Sequence, residues 1–263
     1  MSARRIVCLT EETVETLYLL GAADRIVGVT GYAVRPPRVR REKPRVGAFT
    51  SADVPKILDL KPDLVLTFSD LQADIAADLI RAGVQVHAFN QRSVLGILAM
   101  IETLGAIVGA QDRAHALKTR LRGRINTFRQ MPRPYRPRVY IEEWDEPPIA
   151  GIAWVSELVE IAGGVDVFAH LRREHGAKAR ILATEDIIDA RPDVIIASWC
   201  GKKVRPERMK ARAGWDAIPA IAHGRIHEVK SPLILAPGPA ALTDGLDAIH
   251  AALWPLDAAA PGR

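Results

Sequence analysis

The sequence lacks the features that define several classes of protein. Two cysteines, Cys8 and Cys200, among 263 residues are too few for a disulfide framework. No apolar run approaches the roughly 20 residues of a membrane span. The run Ile6–Leu9 is shorter than the about 7–15 residues of a secretory signal. We therefore expect no membrane segment and, for the sequence as written, a cytoplasmic protein; a removed leader would make it periplasmic.

Motifs for metal, phosphate and nucleic-acid binding are also missing. The sequence contains no C-x-x-C, no H-E-x-x-H, no EF-hand loop and no G-x-x-x-x-G-K-[ST]. The net charge is +5, but the basic stretches 35–45 and 202–212 are not interleaved with aromatic residues as stacking platforms would require. We expect no metal site, no cofactor and no nucleic-acid partner.

Both ends of the chain alternate short apolar runs with helical patterns, which is typical of parallel sheets covered by helices. The middle is helical instead. Between residues 111 and 131, apolar side chains recur every three or four positions and form one stripe. The pattern predicts an N-terminal α/β lobe (1–92), a helical connector (93–137) and a C-terminal α/β lobe (138–263).

An internal repeat supports two related lobes. Residues 57–66 (ILDLKPDLVL) match residues 187–196 (IIDARPDVII), with the same helix, turn and strand pattern 130 positions later. Ligands of open α/β sheets bind beyond the carboxyl ends of the strands. Two such lobes predict a ligand cleft between them.

The residues that follow each predicted strand are the candidate ligand contacts. They are Glu11, Glu12, Tyr32, Phe49, Thr50, Asp70, Glu143, Trp144, Trp154, Trp199, Cys200, Ser231 and Leu233. Three of the five tryptophans fall in this set, at positions where a loop gives them no obvious packing role. Aromatic side chains around a cleft favour a large, flat ligand. The acidic residues among them leave a cationic ligand open.

An enzyme is the alternative to a binding protein. Cys200 lies beside Trp199 and Gly201 as an exposed thiol would, yet no histidine sits in a recognisable partner motif. Glu142 and Glu143 are an acid and base pair in principle. Adjacent strand residues point to opposite faces, however, so both cannot serve one site within a strand. We expect no catalytic residues.

Several stretches in order carry a family resemblance. They are residues 5–10 with 13–17, 24–29, 43–47, 57–66, 161–164, 214–220, 224–226 and 237–239. With them, nearly the whole chain resembles the cobalamin-binding solute-binding proteins of ABC importers, which are similar to the iron-siderophore binders. The resemblance implies two Rossmann-like lobes with mainly parallel sheets joined by a long helix.

The resemblance also implies a function and contacts. The expected ligand is cobalamin or a related corrinoid, delivered to an ABC importer permease. Ligand loops of the family fall at Tyr32, Phe49, Phe68, Trp199 and 231–235. Family members usually present one glutamate per lobe to the importer; here the C-terminal position is Glu185, and Pro55 stands at the N-terminal one, with Asp53 the nearest carboxylate.

Two departures keep other functions open. The sequence as written shows no leader, and one docking glutamate is replaced. A cytoplasmic protein of the same fold that handles or senses a corrinoid, siderophore or metal complex is therefore an alternative. An enzyme that uses Cys200 or the loop from Glu142 to Asp145 is another.

Overall fold

A computed structural model describes residues 2–255 of the chain. The chain divides into two compact units, each with its own sheet. The first, which we call the N-lobe, comprises the residues up to Gln91 together with Leu95–Leu121. The second, the C-lobe, comprises Arg92–Val94 and the described residues from Arg122 to 255. The predicted α/β class with mainly parallel sheets is confirmed.

The N-lobe is built on a four-stranded, fully parallel sheet of order β2-β1-β3-β4. Its strands are β1 (Ile6–Cys8), β2 (Ile26–Val29), β3 (Leu64–Phe68) and β4 (Val86–Phe89). Its helices are α1 (Glu11–Leu19), α2 (Val39–Glu42), α3 (Val54–Asp59), α4 (Ala73–Arg81) and α5 (Val94–Ile107). Strands β1 and β3 are buried over their whole length, as expected for central strands of a parallel sheet.

The C-lobe sheet has the order β6-β5-β8-β9, with β7 also paired to β5. Its strands are β5 (Arg138–Asp145), β6 (Pro148–Ala150), β7 (Val165–Asp166), β8 (Val194–Ala197) and β9 (Ile226–Glu228). Only the pairing of β5 with β6 is antiparallel among the described strands. Strand β5 therefore ends in a hairpin with β6, which the sequence pattern did not indicate.

The C-lobe helices are α7 (Ala153–Ile161), α8 (Thr184–Asp189), α9 (Pro206–Lys210), α10 (Pro219–Ala222), α11 (Ser231–Ile234) and α12 (Leu246–Leu253). A π-helical turn, Ala241–Gly245, leads directly into α12. Within the core of the lobe, Tyr140 meets Phe168 and Trp215 edge-on, with ring centroids 5.6 and 6.4 Å apart.

Residues 93–137, predicted as the connector, contain two helices. They are α5 and α6 (Gln111–Gln130), separated by residues 108–110. The chain leaves the N-lobe for the C-lobe within α6. The predicted apolar stripe of α6 is confirmed, because Ala114, Leu117, Leu121, Ile125 and Phe128 are all buried.

The repeat seen in the sequence is a repeat in structure. In both copies a short helix ends, one residue takes a left-handed conformation, and a proline and an aspartate lead into a buried strand. The left-handed residues are Lys61 (φ 47°) and Arg191 (φ 42°), which stand at matching positions of the repeat. Such φ values are uncommon for residues other than glycine, so their recurrence indicates one conserved turn geometry.

The same set of arginine hydrogen bonds, which we call the arginine clasp, holds both turns. Arg5 donates from Nε and Nη2 to the carbonyl of Leu60, at 3.2 and 2.6 Å. Arg138 donates in the same way to Ala190, at 3.2 and 2.8 Å. The backbone N–H of each arginine donates to the carboxylate of the turn's aspartate, Asp63 or Asp193. Each clasp thus ties a helix end to the first strand of its lobe.

Candidate ligand site

The carboxyl ends of the N-lobe strands gather several predicted contacts at one edge of the sheet. Strand β1 leads into Glu11, β2 into Tyr32, and β3 ends at Phe68. Because the strands are parallel, these ends lie at the same edge. We call this the N-lobe edge.

A buried glutamine that the sequence analysis did not select holds this edge together. Gln72 is fully buried, and its Nε2 donates to the carbonyl of Leu9 (3.1 Å) and that of Phe49 (2.7 Å). Its Oε1 accepts from the backbone N–H of Phe68 (2.9 Å). One side chain therefore fixes three loops, and Gly31 N–H donating to Gly47 O (2.7 Å) adds the loop of Tyr32.

Apolar surface is exposed at this edge. Tyr32 is 48% exposed and Leu71, next to Gln72, is 61% exposed. Phe49 is half-buried, whereas Phe68 is buried. Their position beyond the carboxyl ends of parallel strands, where ligands of open α/β sheets bind, makes them candidate ligand contacts.

Two carboxyl groups, those of Glu11 and Glu12, lie in the first turn of helix α1. Acidic residues there stabilise the start of a helix through the helix dipole. Burial, with the neighbouring Glu12 and Glu15, raises the pKa of Glu11 to about 8. Burial likewise raises the pKa of Glu12 to about 7. At neutral pH the Glu11 carboxyl is mostly protonated, so it both donates and accepts.

The two glutamates of β5 have different partners. Glu142 is fully buried and accepts from Arg212 (2.6 Å), Trp199 (3.0 Å) and Tyr140 (3.2 Å). Glu143 accepts from Arg180 at 2.7 Å. Both carboxylates are committed to ion pairs within the C-lobe.

The prediction that the tryptophans lack a packing role is wrong for two of them. Trp199 is 3% exposed and belongs to the C-lobe core. Trp154 is 2% exposed, because it lies in α7 rather than in a loop, and its indole N–H donates to Ile234 O at 2.7 Å. Replacing either tryptophan by a small residue is expected to destabilise the core, so such a variant would not test ligand binding by itself.

Trp144 differs, because it is half-buried near the end of β5. The ammonium of Lys202 lies 3.9 Å from its ring centroid and 5.3 Å from that of Trp199. Lys202 also forms an ion pair with Asp145. Trp144 therefore presents an aromatic face that the protein's own cation covers.

The remaining predicted residues lie at the surface or partly so. Thr50, Asp70 and Cys200 are exposed, and Ser231 and Leu233 are half-buried in α11. The two predicted docking residues are both exposed at helix starts: Asp53 caps α3 by accepting from Lys56 N–H (3.1 Å), and Glu185 lies in the first turn of α8.

The residues that sequence reasoning missed are the partners of buried groups: Gln72, Arg180, Lys202 and Arg212. Lys202 and Arg212 belong to the basic stretch 202–212. Nothing local distinguishes such residues from solvated ones, since their partners are distant in sequence.

Over residues 2–255, no helix combines the length and apolar character that a membrane crossing requires. The same residues contain no cluster of three or more histidine, cysteine, aspartate or glutamate side chains placed to hold a metal ion.

Two α/β units with an internal repeat, and apolar side chains exposed at the carboxyl ends of parallel strands, are features of a ligand-binding protein. A model of the periplasmic binding protein family matches residues 6–233. The chain belongs to this family, and the family predicted from the sequence is confirmed. It is a solute-binding protein of the kind that binds a small ligand and delivers it to the permease of an ABC importer.

Three similar proteins are informative about the kinds of solute that proteins of this fold bind. An uncharacterized ABC transporter substrate-binding lipoprotein of Bacillus subtilis is 26% identical over 269 residues, covering 96% of this chain and 80% of that protein. A vitamin B12-binding protein of Yersinia pestis is 25% identical over 201 residues, covering 75% of this chain and 70% of that protein. A solved structure with the same fold is a periplasmic heme-binding protein from Roseiflexus, at a TM-score of 0.80 and 22% identity, covering 96% and 100%.

Proposed function

We propose that this protein binds cobalamin or a related corrinoid and delivers it, on the periplasmic or outer side of a membrane, to an ABC importer. Two relatives support this: one named as an importer's lipoprotein and one named for vitamin B12. Their names describe those proteins, and the N-lobe edge is the feature of this chain that bears on its ligand.

The observation that carries the proposal is the exposed apolar surface of the N-lobe edge, where the carboxyl end of β1 leads into Glu11, whose pKa burial raises to about 8. A corrin ring is broad and flat, and its rim carries primary carboxamides. A protonated carboxyl donates to an amide carbonyl and accepts from an amide N–H, so the two groups are complementary. Tyr32, Phe49 and Leu71 supply apolar area for the ring.

Haem is a second candidate, and one side chain favours it. The exposed phenol of Tyr32 is of a type that ligates haem iron. Haem also carries two carboxylates. A protonated Glu11 carboxyl can donate a hydrogen bond to one of them, but it has no positive charge to form an ion pair. The two ligands therefore use Tyr32 differently: corrin packs on its ring, and haem iron bonds its oxygen.

Visible absorbance titration with cyanocobalamin and with hemin tests the proposal. The wild-type protein is expected to bind cyanocobalamin one-to-one. Tyr32→Phe keeps the ring, so corrinoid affinity should stay within about threefold, whereas Tyr32→Ala should weaken it about tenfold, or about 1.4 kcal/mol.

The matched control is Tyr135→Phe. Tyr135 is a half-buried tyrosine of the C-lobe whose ring packs on Trp254. Saturable hemin binding that is lost in Tyr32→Phe, without cyanocobalamin binding, would replace the corrinoid by haem. Absence of binding for both ligands would reject both candidates.

A further inference from the structure

A groove of about 700 Å³ lies at the opposite edge of the N-lobe sheet. Its lining includes Arg4 just before β1, Asp63 and Leu64 at the start of β3, Gln85 and His87 at the start of β4, and Ile107 at the end of α5. These are the amino ends of the strands, so the groove is separate from the N-lobe edge described above. Its volume is within the range of small-molecule sites.

The sheet and α5 explain why there is space here. Strand β4 is the edge strand, and His87 pairs in register with Leu66. His87 thus lies on the sheet face that carries Leu64 and Leu66. Helix α5 ends at Ile107, and His87 remains only half-buried.

Some polar groups of the groove already form hydrogen bonds within the protein, and others do not. Both carboxylate oxygens of Asp63 already accept backbone N–H groups, from Arg4 (2.8 Å) and Arg5 (3.0 Å). Within residues 2–255, the side chains of Arg4, Gln85 and His87 have no hydrogen bond or ion pair, although His87 packs edge-on against Phe89 at 4.4 Å. The groove therefore has donors in excess of acceptors, beside apolar walls.

We propose that this groove is a second binding site, which takes a small organic anion with a carboxylate head and an apolar body. The guanidinium of Arg4 is the group suited to bidentate carboxylate binding. Gln85 and His87 supply further N–H donors, and Leu64 and Ile107 face the apolar part. Desolvation lowers the pKa of His87, so its ring is neutral near pH 7 and Arg4 provides the positive charge.

Benzoate is a suitable probe, because it combines a carboxylate with an apolar ring of the right size. The shift of the His87 ring resonances in protein with ¹⁵N-labelled histidine reports on occupancy, with His87→Gln to assign them. A fragment of this size is expected to bind at roughly millimolar affinity. Benzamide, which has the same shape without the charge, should bind at least tenfold more weakly.

Arg4→Gln should weaken benzoate binding at least tenfold. The variant keeps the backbone N–H at position 4, which donates a hydrogen bond to Asp63. Arg40→Gln, an exposed arginine of α2, is the matched control and should bind as wild type. Equal melting temperatures of the two variants would show that the fold is intact. No saturable shift in the wild type, or the same affinity in Arg4→Gln, would overturn the proposal, and neither result bears on corrinoid binding.

Discussion

At the residue scale, the buried acids of α1 are the groups whose chemistry depends most on the fold. Glu12 is buried, and its Oε1 has no hydrogen-bond partner within residues 2–255. The pKa of an acid in that setting is raised, because charging it without compensation is costly. In an unfolded chain the same carboxyl ionises near its ordinary pKa.

We therefore expect the stability of the protein to fall as pH rises. The folded pKa of Glu12, about 7, is above its unfolded value, so between the two the folded state holds more protons. Stability from this group is full below about pH 4.5 and is lost as pH rises through 7. Between pH 5 and 8 the loss is on the order of 2 kcal/mol.

Glu12→Gln should remove that part of the pH slope, as measured by urea unfolding at pH 5, 6, 7 and 8. The exposed Glu174→Gln serves as the control and should keep the wild-type slope. A wild-type protein that becomes more stable from pH 5 to 8, with no change in Glu12→Gln, would contradict the burial of an uncharged acid.

At the element scale, the repeated helix, turn and strand unit is the clearest structural signature. Its turns place Lys61 and Arg191 in the left-handed region, where a side chain is strained and glycine is not. The arginine clasps at Leu60 and Ala190 hold these turns in place. The strain is thus tolerated because each turn is fixed from the neighbouring strand.

Lys61→Gly and Arg191→Gly are each expected to stabilise the protein by about 0.5–1 kcal/mol, because glycine relieves the left-handed strain. Arg120→Gly, at an exposed position inside α6, should instead destabilise by about 1 kcal/mol. Denaturant midpoints measure all three. Destabilisation by both turn variants, of the size seen for Arg120→Gly, would show that the side chains matter more than the backbone conformation.

At the scale of the whole molecule, the proposed role requires a partner as well as a ligand. Glu185 is exposed at the start of α8, and Asp53 is exposed although its carboxylate caps α3. If these side chains meet arginines of an importer, charge reversal should weaken docking without touching the ligand.

We expect Glu185→Lys to leave cyanocobalamin affinity unchanged and to weaken binding to the reconstituted cognate importer at least tenfold. Glu174→Lys makes the same charge change elsewhere on the C-lobe and is the control. Binding to the importer would be measured on vesicles at low and at high salt, because contacts of this type weaken with ionic strength. Equal docking of both variants would remove Glu185 from the interface.

The class of fold was readable from the sequence because it is encoded locally. Apolar periodicity marks β3, α5 and the stripe of α6, and turn residues mark the ends of the helices. The repeat of residues 57–66 at 187–196 is visible in the sequence itself, and it implies two related lobes. The resemblance to solute-binding proteins followed from the order of such stretches.

The tertiary structure alone decided which side chains belong to the core and which to a site. Trp154 and Trp199 were assigned to loops, yet both are buried, because the helix of one and the core around the other are made by distant residues. Gln72 and Arg212 were overlooked, since the groups they bind, such as Phe49 O and the Glu142 carboxylate, lie far away along the chain. Periodicity is a property of neighbours in sequence, whereas burial, pKa and hydrogen-bond partners are properties of neighbours in space.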